Sequence, residues 1–320
     1  MVHGRKRNMT VPPDRILLTG ASGFVGRHLT AALSAAYPDA TLITPAVDIR
    51  DAAAIAAAVE DASPEICFHL AAVSSVAAAA RDEDLTWQVN LHGTLHLARA
   101  IRRHAPNCVM LFVSSADAYG SSFRAGSRVT EDTALAPMNV YSASKAAADL
   151  ALGSMAVQGL RVVRLRTFNH TGPGQSAEFV VPAFARQIAR IAAGRQPPLL
   201  RVGNLDTWRD FLDVRDVCRA YVACVDRRDT VAPGTILNLA SGQAHRIGDM
   251  LNELRDMAGV EIEVQVDQSR VRESDLRMAC GDATRAREVL GWAPAIPWNV
   301  TLRDVLTYWH GRVSSEAGEA

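Results

Sequence analysis

TGASGFVG (19–26) follows the apolar run RILL (15–18) and opens the helical pattern GFVGRHLTAALSAA (23–36). A buried strand, a glycine-rich turn and a helix in that order predict the first crossover of a doubly wound parallel sheet. Gly20 allows a tight turn, Gly23 lets an anion approach the backbone, and Gly26 lets the helix pack closely. The uncovered N–H groups at the start of such a helix suit a pyrophosphate. The context therefore predicts a dinucleotide site, against the plainer reading of a glycine-rich turn.

The chain outward from this stretch keeps the same rhythm. Strand candidates are TLIT (41–44), EICFHLAA (65–72), VMLFVSS (109–115) and RVVRLRT (161–167). Helical patterns fall near 23–36, 51–60, 82–104 and 141–157, with His92 interrupting the apolar stripe of the third. Strands alternating with helices predict an α/β fold of Rossmann type. After residue 167 the rhythm loosens. HTGPGQ, helices at 180–194, 246–258 and 301–311, and the runs PGTILNLASG (233–242) and EIEVQV (261–266) predict a smaller, discontinuous lobe for substrate. The expected division is a loose tail over 1–12, a dinucleotide-binding domain over 13–167 with segments near 211–240 returning to it, a lobe over 168–312, and a frayed end over 313–320.

With 320 residues, nearly half of them apolar, the chain has material for a large core. Its 34 acidic and 34 basic residues balance, which argues against a dedicated nucleic-acid binder. No apolar run approaches the ~20 residues of a membrane span. Cys67, Cys108, Cys218, Cys224 and Cys280 lie in apolar segments without metal-type spacing, so reduced thiols, a cytoplasmic location and no metal site are expected.

Lysine occurs only at Lys6, in the basic tail, and at Lys145; elsewhere the chain uses arginine. Lys145 closes YSASK (141–145), which puts it four residues after Tyr141 on one helix face. A free phenol titrates near pH ~10, and a neighbouring ammonium favours its ionised form. A compact ammonium can also bond a ribose, which the wide arginine fork does not replicate. In SSADAYG (114–120), Ser115 and Asp117 stand two residues apart after an apolar run. On a strand, that spacing aims both at one face. Ser115 then offers a hydroxyl to a carbonyl, and Asp117 offers either a base or a substrate-positioning carboxylate. DIRD (48–51) offers Asp48 to an adenosine, or Asp51 as a helix cap. The end of the second strand, Thr44-Pro45, carries no acid for a ribose 2′-hydroxyl, which leans toward NADP(H) over NAD(H), with Arg27 or Arg50 near the extra phosphate.

TGASGFVG, HLAAVSSV (69–76), Asn90, SSADAYG, YSASK and LGW (290–292) together resemble the extended short-chain dehydrogenases/reductases that act on nucleotide-diphosphate sugars. The resemblance spans roughly residues 14–295. It implies Ser115 as the catalytic hydroxyl, Tyr141 as acid/base and Lys145 as its partner. It implies cofactor contacts at Gly20, Ser22, Gly23, Phe24, Val25, Gly26, Asp48, Ile49, Leu70, Ala71, Ala72 and Phe168, and Ser75 near the sugar. RTFNHTGPGQSAEFVVP (166–182) and VGNLDTWRDFLDVRD (202–216) resemble the branch that handles GDP-linked 6-deoxy-4-keto sugars. By that likeness Asn169, Arg209 and Arg270 meet the diphosphate region, backbone near Val181 and Pro182 covers the nucleotide, and Glu273 holds ribose hydroxyls. Asp213, Asp216, Asp282 and Trp292 would brace the lobe. Val271 stands where relatives usually carry proline. The implied reaction is NAD(P)H-dependent reduction of a 4-keto group on a GDP-sugar. A 4,6-dehydratase or 4-epimerase on the same fold is the alternative, and a non-catalytic NAD(P)-binding protein is a third. Relatives in the dehydratase branch carry Glu at the position of Asp117, one methylene longer. A homodimer through the helices near 82–104 and 141–157 is implied by the same resemblance.

Overall fold

The structure is a computed structural model that describes residues 11–267 and 276–316. Its first half builds β1 (Arg15–Thr19), α1 (Phe24–Ala36), β2 (Thr41–Ile43), α2 (Ala52–Ala62) and β3 (Ile66–His69). Next come α3 (Val76–Arg81), α4 (Glu83–Trp87), a π-helical turn Gln88–Gly93, α5 (Thr94–His104) and β4 (Val109–Val113). A 3₁₀ segment Ala116–Ala125, α6 (Val140–Val157) and β5 (Val162–Thr167) complete the half. The second half adds β6 (Asn169–Thr171), α7 (Val180–Ala192), β7 (Leu199–Val202), β8 (Trp208–Asp213), α8 (Val214–Asp226), β9 (Ile236–Leu239) and β10 (Ala244–Arg246). It ends with α9 (Ile247–Ala258), β11 (Glu263–Val266), β12 (Met278–Ala279), α10 (Thr284–Leu290) and α11 (Trp298–Ser315).

The main sheet has six strands in the order β2-β1-β3-β4-β5-β9, all paired in parallel. The order turns back at β1–β3, the switch point where such sheets bind ligands. β3 is buried along its whole length, as a strand covered on both faces must be. One core holds Leu29, Leu33, Val214, Tyr221 and Trp292 with the inner residues of the sheet; the opposite face packs Ile55, Leu97, Ile101 and Leu152. Residues between 212 and 240, and Leu290 of α10, pack into the first of these cores. A third core joins α7, α9 and α11 through Phe184, Leu251 and Leu306.

Three expectations change. The single helix over 82–104 is interrupted, because Gln88–Gly93 winds as a π-turn around the His92 position. The last helix starts at Trp298, not 301, and runs to Ser315. Val313 is thus not frayed: it is 1% exposed, and the Arg195 guanidinium donates to its carbonyl. Finally, the strand carrying VMLFVSS stops at Val113, so Ser115 and Asp117 do not share a strand face.

Candidate active site

The corner where β4 ends gathers the chemistry. Ser115 caps the 3₁₀ segment, its Oγ accepting the Asp117 N–H at 3.1 Å. Backbone bonds Ser121 N–H to Ala136 O (2.8 Å) and Ala136 N–H to Ala118 O (3.2 Å) then fold the chain back to α6. Asn139 starts that helix with a capping box: its Oδ1 accepts from Ser142 N–H (2.9 Å) and Ser142 Oγ accepts from Asn139 N–H (3.1 Å). The cap sets Tyr141 in the first turn and Lys145 one turn deeper.

Tyr141 is half-buried and Lys145 buried. The Tyr141 phenol is pushed well above its ordinary range, first by burial and then by the Asp117 carboxylate, while a hydrogen bond with Ser115 pulls it down. Lys145 Nζ donates to Val113 O at 2.5 Å and lies 4.7 Å from the centre of the Phe112 ring. Burial lowers its pKa to about 8, and Asp149 opposes that shift. The expectation that Lys145 depresses the phenol is not met in this geometry. Its ammonium is drawn to the Val113 carbonyl, and desolvation governs the phenol, so Tyr141 holds its proton. Asp117 is exposed, yet its charge reaches Tyr141. The pair expected on one strand face thus meets at Tyr141 through a turn.

A hydrogen-bond chain that sequence reasoning missed lies behind this corner. Thr94 Oγ1 donates to Asn90 O (2.7 Å), a carbonyl within the π-turn, and so accepts from His69 Nε2–H (2.9 Å). That leaves His69 Nδ1 to accept from the Thr19 hydroxyl (2.8 Å). Asn90 Nδ2 donates to Val73 O and to Ser144 Oγ, and Ser144 donates to Tyr141 O at 2.8 Å. The end of β1, the end of β3 and the start of α6 are therefore tied together. Burial and the nearby Lys145 charge hold His69 neutral, with a pKa lowered to about 3. The signal was a histidine inside the apolar strand ICFH.

The glycine turn fits a dinucleotide. Gly20 has φ +77°, and a Cβ there would stand 2.7 Å from Ala71 N. A Cβ on Gly26 would stand 2.2 Å from Gly20 O, so this glycine lets α1 close on its own turn instead of on the sheet. Gly23 caps α1 without a side-chain bond, which leaves the helix N-terminus open to an anion. Ser114 Oγ, one residue before Ser115, is buried without a partner among the described residues. Phe24, Val25, Leu70, Ala71 and Ala72 are half-buried around this groove, and Ser22 is exposed. Ile49 is buried, its side chain filling the space beside Gly93. Asp48 is gripped by Arg50 (2.9 and 2.5 Å), which lowers its pKa to about 2, and Asp51 is the cap of α2. Arg27 donates to Ser22 O and Gly174 O. Phe168 departs from the expectation: its ring is buried beneath Gly281 and against Phe123, in the core.

The second lobe is assembled differently. Asn169 is half-buried on β6, opposite Phe211. Val181 is fully buried in the lobe core, which leaves only its backbone, at the uncapped start of α7, for a ligand. Ser75 Oγ caps α3 by accepting from Ala78 N–H at 3.0 Å. Arg209 Nη1 donates to Trp208 O (2.9 Å) and Leu276 O (2.8 Å), so part of its donor set holds the chain. Arg270 and Glu273 lie outside the described residues. Asp213 accepts from Thr301 Oγ1, Asp216 from Ala295 and Ile296 N–H, and Trp292 Nε1 donates to Asp216 O; these bonds tie the start of α8 to the segment 292–301. Asp282 Oδ1 accepts the Thr284 N–H. Among the described residues no cluster of His, Cys, Asp and Glu is arranged for a metal ion, the five cysteines are free and buried, and no helix is long and apolar enough to cross a membrane.

The fold and this corner define a short-chain dehydrogenase/reductase of the extended type, and the chain belongs to its nucleotide-sugar branch. The family model described as GDP-mannose 4,6 dehydratase matches residues 39–305. GDP-6-deoxy-D-mannose reductase of Pseudomonas aeruginosa is 38% identical over 309 residues, covering 95% of this chain and 99% of that one. GDP-6-deoxy-D-talose 4-dehydrogenase of Aggregatibacter actinomycetemcomitans is 25% identical over 87% of this chain and 91% of its own. Among solved structures, RMD from Pseudomonas aeruginosa complexed with NADPH superposes with a TM-score of 0.85 at 35% identity, covering 93% of this chain and 99% of that one. UDP-glucose 4-epimerase of Thermus thermophilus with NAD gives 0.81 at 27% identity, over 93% and 99%.

Proposed function

We propose that this chain reduces the 4-keto group of a GDP-linked 4-keto-6-deoxy sugar, in deoxysugar biosynthesis, with NADPH favoured over NADH. The observation that carries the reading is the Tyr141 phenol, hydrogen-bonded to Ser115 and one turn from the buried Lys145, with burial favouring its protonated form. Reduction of a ketone needs a proton donor at the oxygen, and this geometry holds one. The identity to a GDP-6-deoxy-D-mannose reductase and the likeness to RMD with NADPH support the substrate class and the cofactor.

When bound, the nicotinamide supplies the hydride to carbon 4. Ser115 hydrogen-bonds the ketone oxygen and orients it. Tyr141 gives that oxygen its proton, help of a kind that typically contributes ~10²–10⁴-fold. Lys145 keeps an ammonium near the phenol and toward the cofactor's ribose. Gly23 and the start of α1 face the pyrophosphate, with Gly20 and Gly26 shaping the turn, and Asp48 and Ile49 meet the adenine end. Asn169, Arg209 and the α7 start near Val181 meet the GDP moiety. Asp117 positions the sugar.

The dehydratase reading draws on the Asp117 carboxylate beside Tyr141 and on the name of the matching family. Ala116, buried at 6% exposure, supplies no second acid there. The chain is further proposed to act as a homodimer, with the outward Leu150 (60% exposed) and Val157 (91% exposed) of α6 covered by a second copy; light scattering of the purified protein tests this. The deciding experiment supplies GDP-4-keto-6-deoxy-mannose with NADPH and follows the absorbance of the reduced cofactor. Oxidation in step with ketone loss is expected. Turnover of GDP-mannose without added reductant would instead make it a dehydratase.

A further inference from the structure

Arg166 lies on β5, 3% exposed, and no step of the proposed chemistry uses its charge. Its Nε and Nη2 donate to Asp149 Oδ2 and Oδ1, both at 3.1 Å, so the pair is two-pronged. Nη1 donates to Tyr119 OH at 3.0 Å and to Glu131 O at 3.1 Å. The guanidinium carbon also lies 5.0 Å from the centre of the Tyr119 ring. Tyr119 is fully buried and donates its own O–H to Asn238 Oδ1 at 2.7 Å. Asn238 in turn bonds Glu131 Oε1 through its N–H (2.8 Å) and Val129 O through Nδ2 (3.0 Å).

The two side chains that Arg166 holds belong to the two elements that carry the reacting groups. Tyr119 lies in the 3₁₀ segment that Ser115 caps. Asp149 lies on α6, one turn beyond Lys145 and two beyond Tyr141, so the three share a helix face. Asp149 is fully buried, also accepts from Arg164 Nη1 at 3.0 Å, and opposes the lowering of the Lys145 pKa. One guanidinium therefore spans the same two elements that the Ser115–Tyr141 hydrogen bond joins. A buried ion pair adds little net stability, because desolvation offsets the attraction. What the planar fork does supply is a fixed geometry, which a lysine at this place does not reproduce.

We propose that Arg166 is a positioning residue for the reduction: by holding Asp149 of α6 and Tyr119 of the 3₁₀ segment together, it sets the spacing between Ser115 and Tyr141 at which the phenol gives its proton to the ketone oxygen. Arg166 acts through Tyr141, so the inference rests on the reading of Tyr141 as the acid. Arg166→Lys keeps a cation beside Asp149 and loses the fork, which frees α6 to shift against the 3₁₀ segment. A displacement of ~1 Å at a reacting group costs up to ~10²-fold in rate.

The test is a double-variant cycle on the reduction of GDP-4-keto-6-deoxy-mannose, with kcat counted per site that binds NADPH by calorimetry. Arg166→Lys is expected to lower kcat by ~10–100-fold with KM for the sugar nearly unchanged. In a Tyr141→Phe background, whose residual turnover is followed over hours, the same substitution should lower kcat by less than about twofold, because the group it positions is gone. Tyr119→Phe keeps the ring and removes the hydroxyl; it reads the same cycle should Arg166→Lys fold poorly, with a loss of ~3–10-fold expected for one hydrogen bond. An unchanged kcat, equal losses in both backgrounds, or a rise in KM alone would overturn the inference and leave Tyr141 as the acid. Full activity of Tyr141→Phe by itself would overturn both.

Discussion

The catalytic corner and the wall of the second lobe were both read from short motifs, yet the structure builds them in opposite ways. Ser115, Tyr141 and Lys145 come from one strand end and one capped helix, and their bonds to Tyr141, Val113 and Ser144 leave little freedom. Asn169, Val181 and Arg209 come from three separate segments, and the side chains of Val181 and Arg209 serve the fold itself. Val181 fills the core and Arg209 holds two carbonyls. Preorganisation belongs to the reacting end, where it lowers the barrier directly. The proposed binding end is assembled by long-range contacts, and its candidate groups double as structure.

The contrast can be broken at several points. Tyr141→Phe should cut kcat by ~10²–10⁴-fold while NADPH still binds, measured by turnover and calorimetry. Full activity in that variant would remove Tyr141 as the acid. Arg209→Ala should act on the other end, raising KM by about 10–100-fold, the range for a charge-assisted hydrogen bond, with kcat nearly unchanged. A fall in kcat alone would place Arg209 in the reacting corner.

The pH profile sharpens the comparison further. Lys145 has a pKa lowered to about 8, so its ammonium is present below that pH and lost above it. A plot of kcat/KM should therefore fall above about pH 8, approaching tenfold per unit, because it reports free-enzyme ionisations. A flat profile to pH 10 would show that the ammonium is not required.

His69 tests the scaffold behind the corner. Its pKa is lowered from 6.5 to about 3, so the unfolded chain binds a proton that the folded one refuses between those values. Stability then falls as the pH drops from 6.5 toward 3, by at most ~1.4 kcal/mol per unit. Urea unfolding at pH 7 and pH 5 should show a smaller loss for His69→Gln than for the wild type. The smallest change is expected from Asp117→Asn. Removing the carboxylate lowers the Tyr141 phenol toward its ordinary value, and ketone reduction should change by less than about tenfold. A collapse of activity would make Asp117 the base of a dehydratase.

Much of this was legible from local spacing. The glycine turn, the strand–helix alternation and the Tyr141–Lys145 pair each depend on residues a few positions apart, and helix or strand geometry converts that spacing into a face. The same reasoning failed at Ser115 and Asp117, because the strand ended two residues earlier than its apolar run implied. It also failed at 82–104, where the π-turn and its Thr94–Asn90 bond answer to His69 on another element.

The sequence by itself determined the sheet, the glycine turn that opens α1 and the placing of Tyr141 and Lys145 one turn apart on one helix. Only the tertiary structure decided that Phe168 is core, that Arg209 is partly committed to backbone, and that burial raises the Tyr141 phenol. Burial and the choice of hydrogen-bond partner set those properties, and both come from segments distant in sequence that the spacing of residues does not encode.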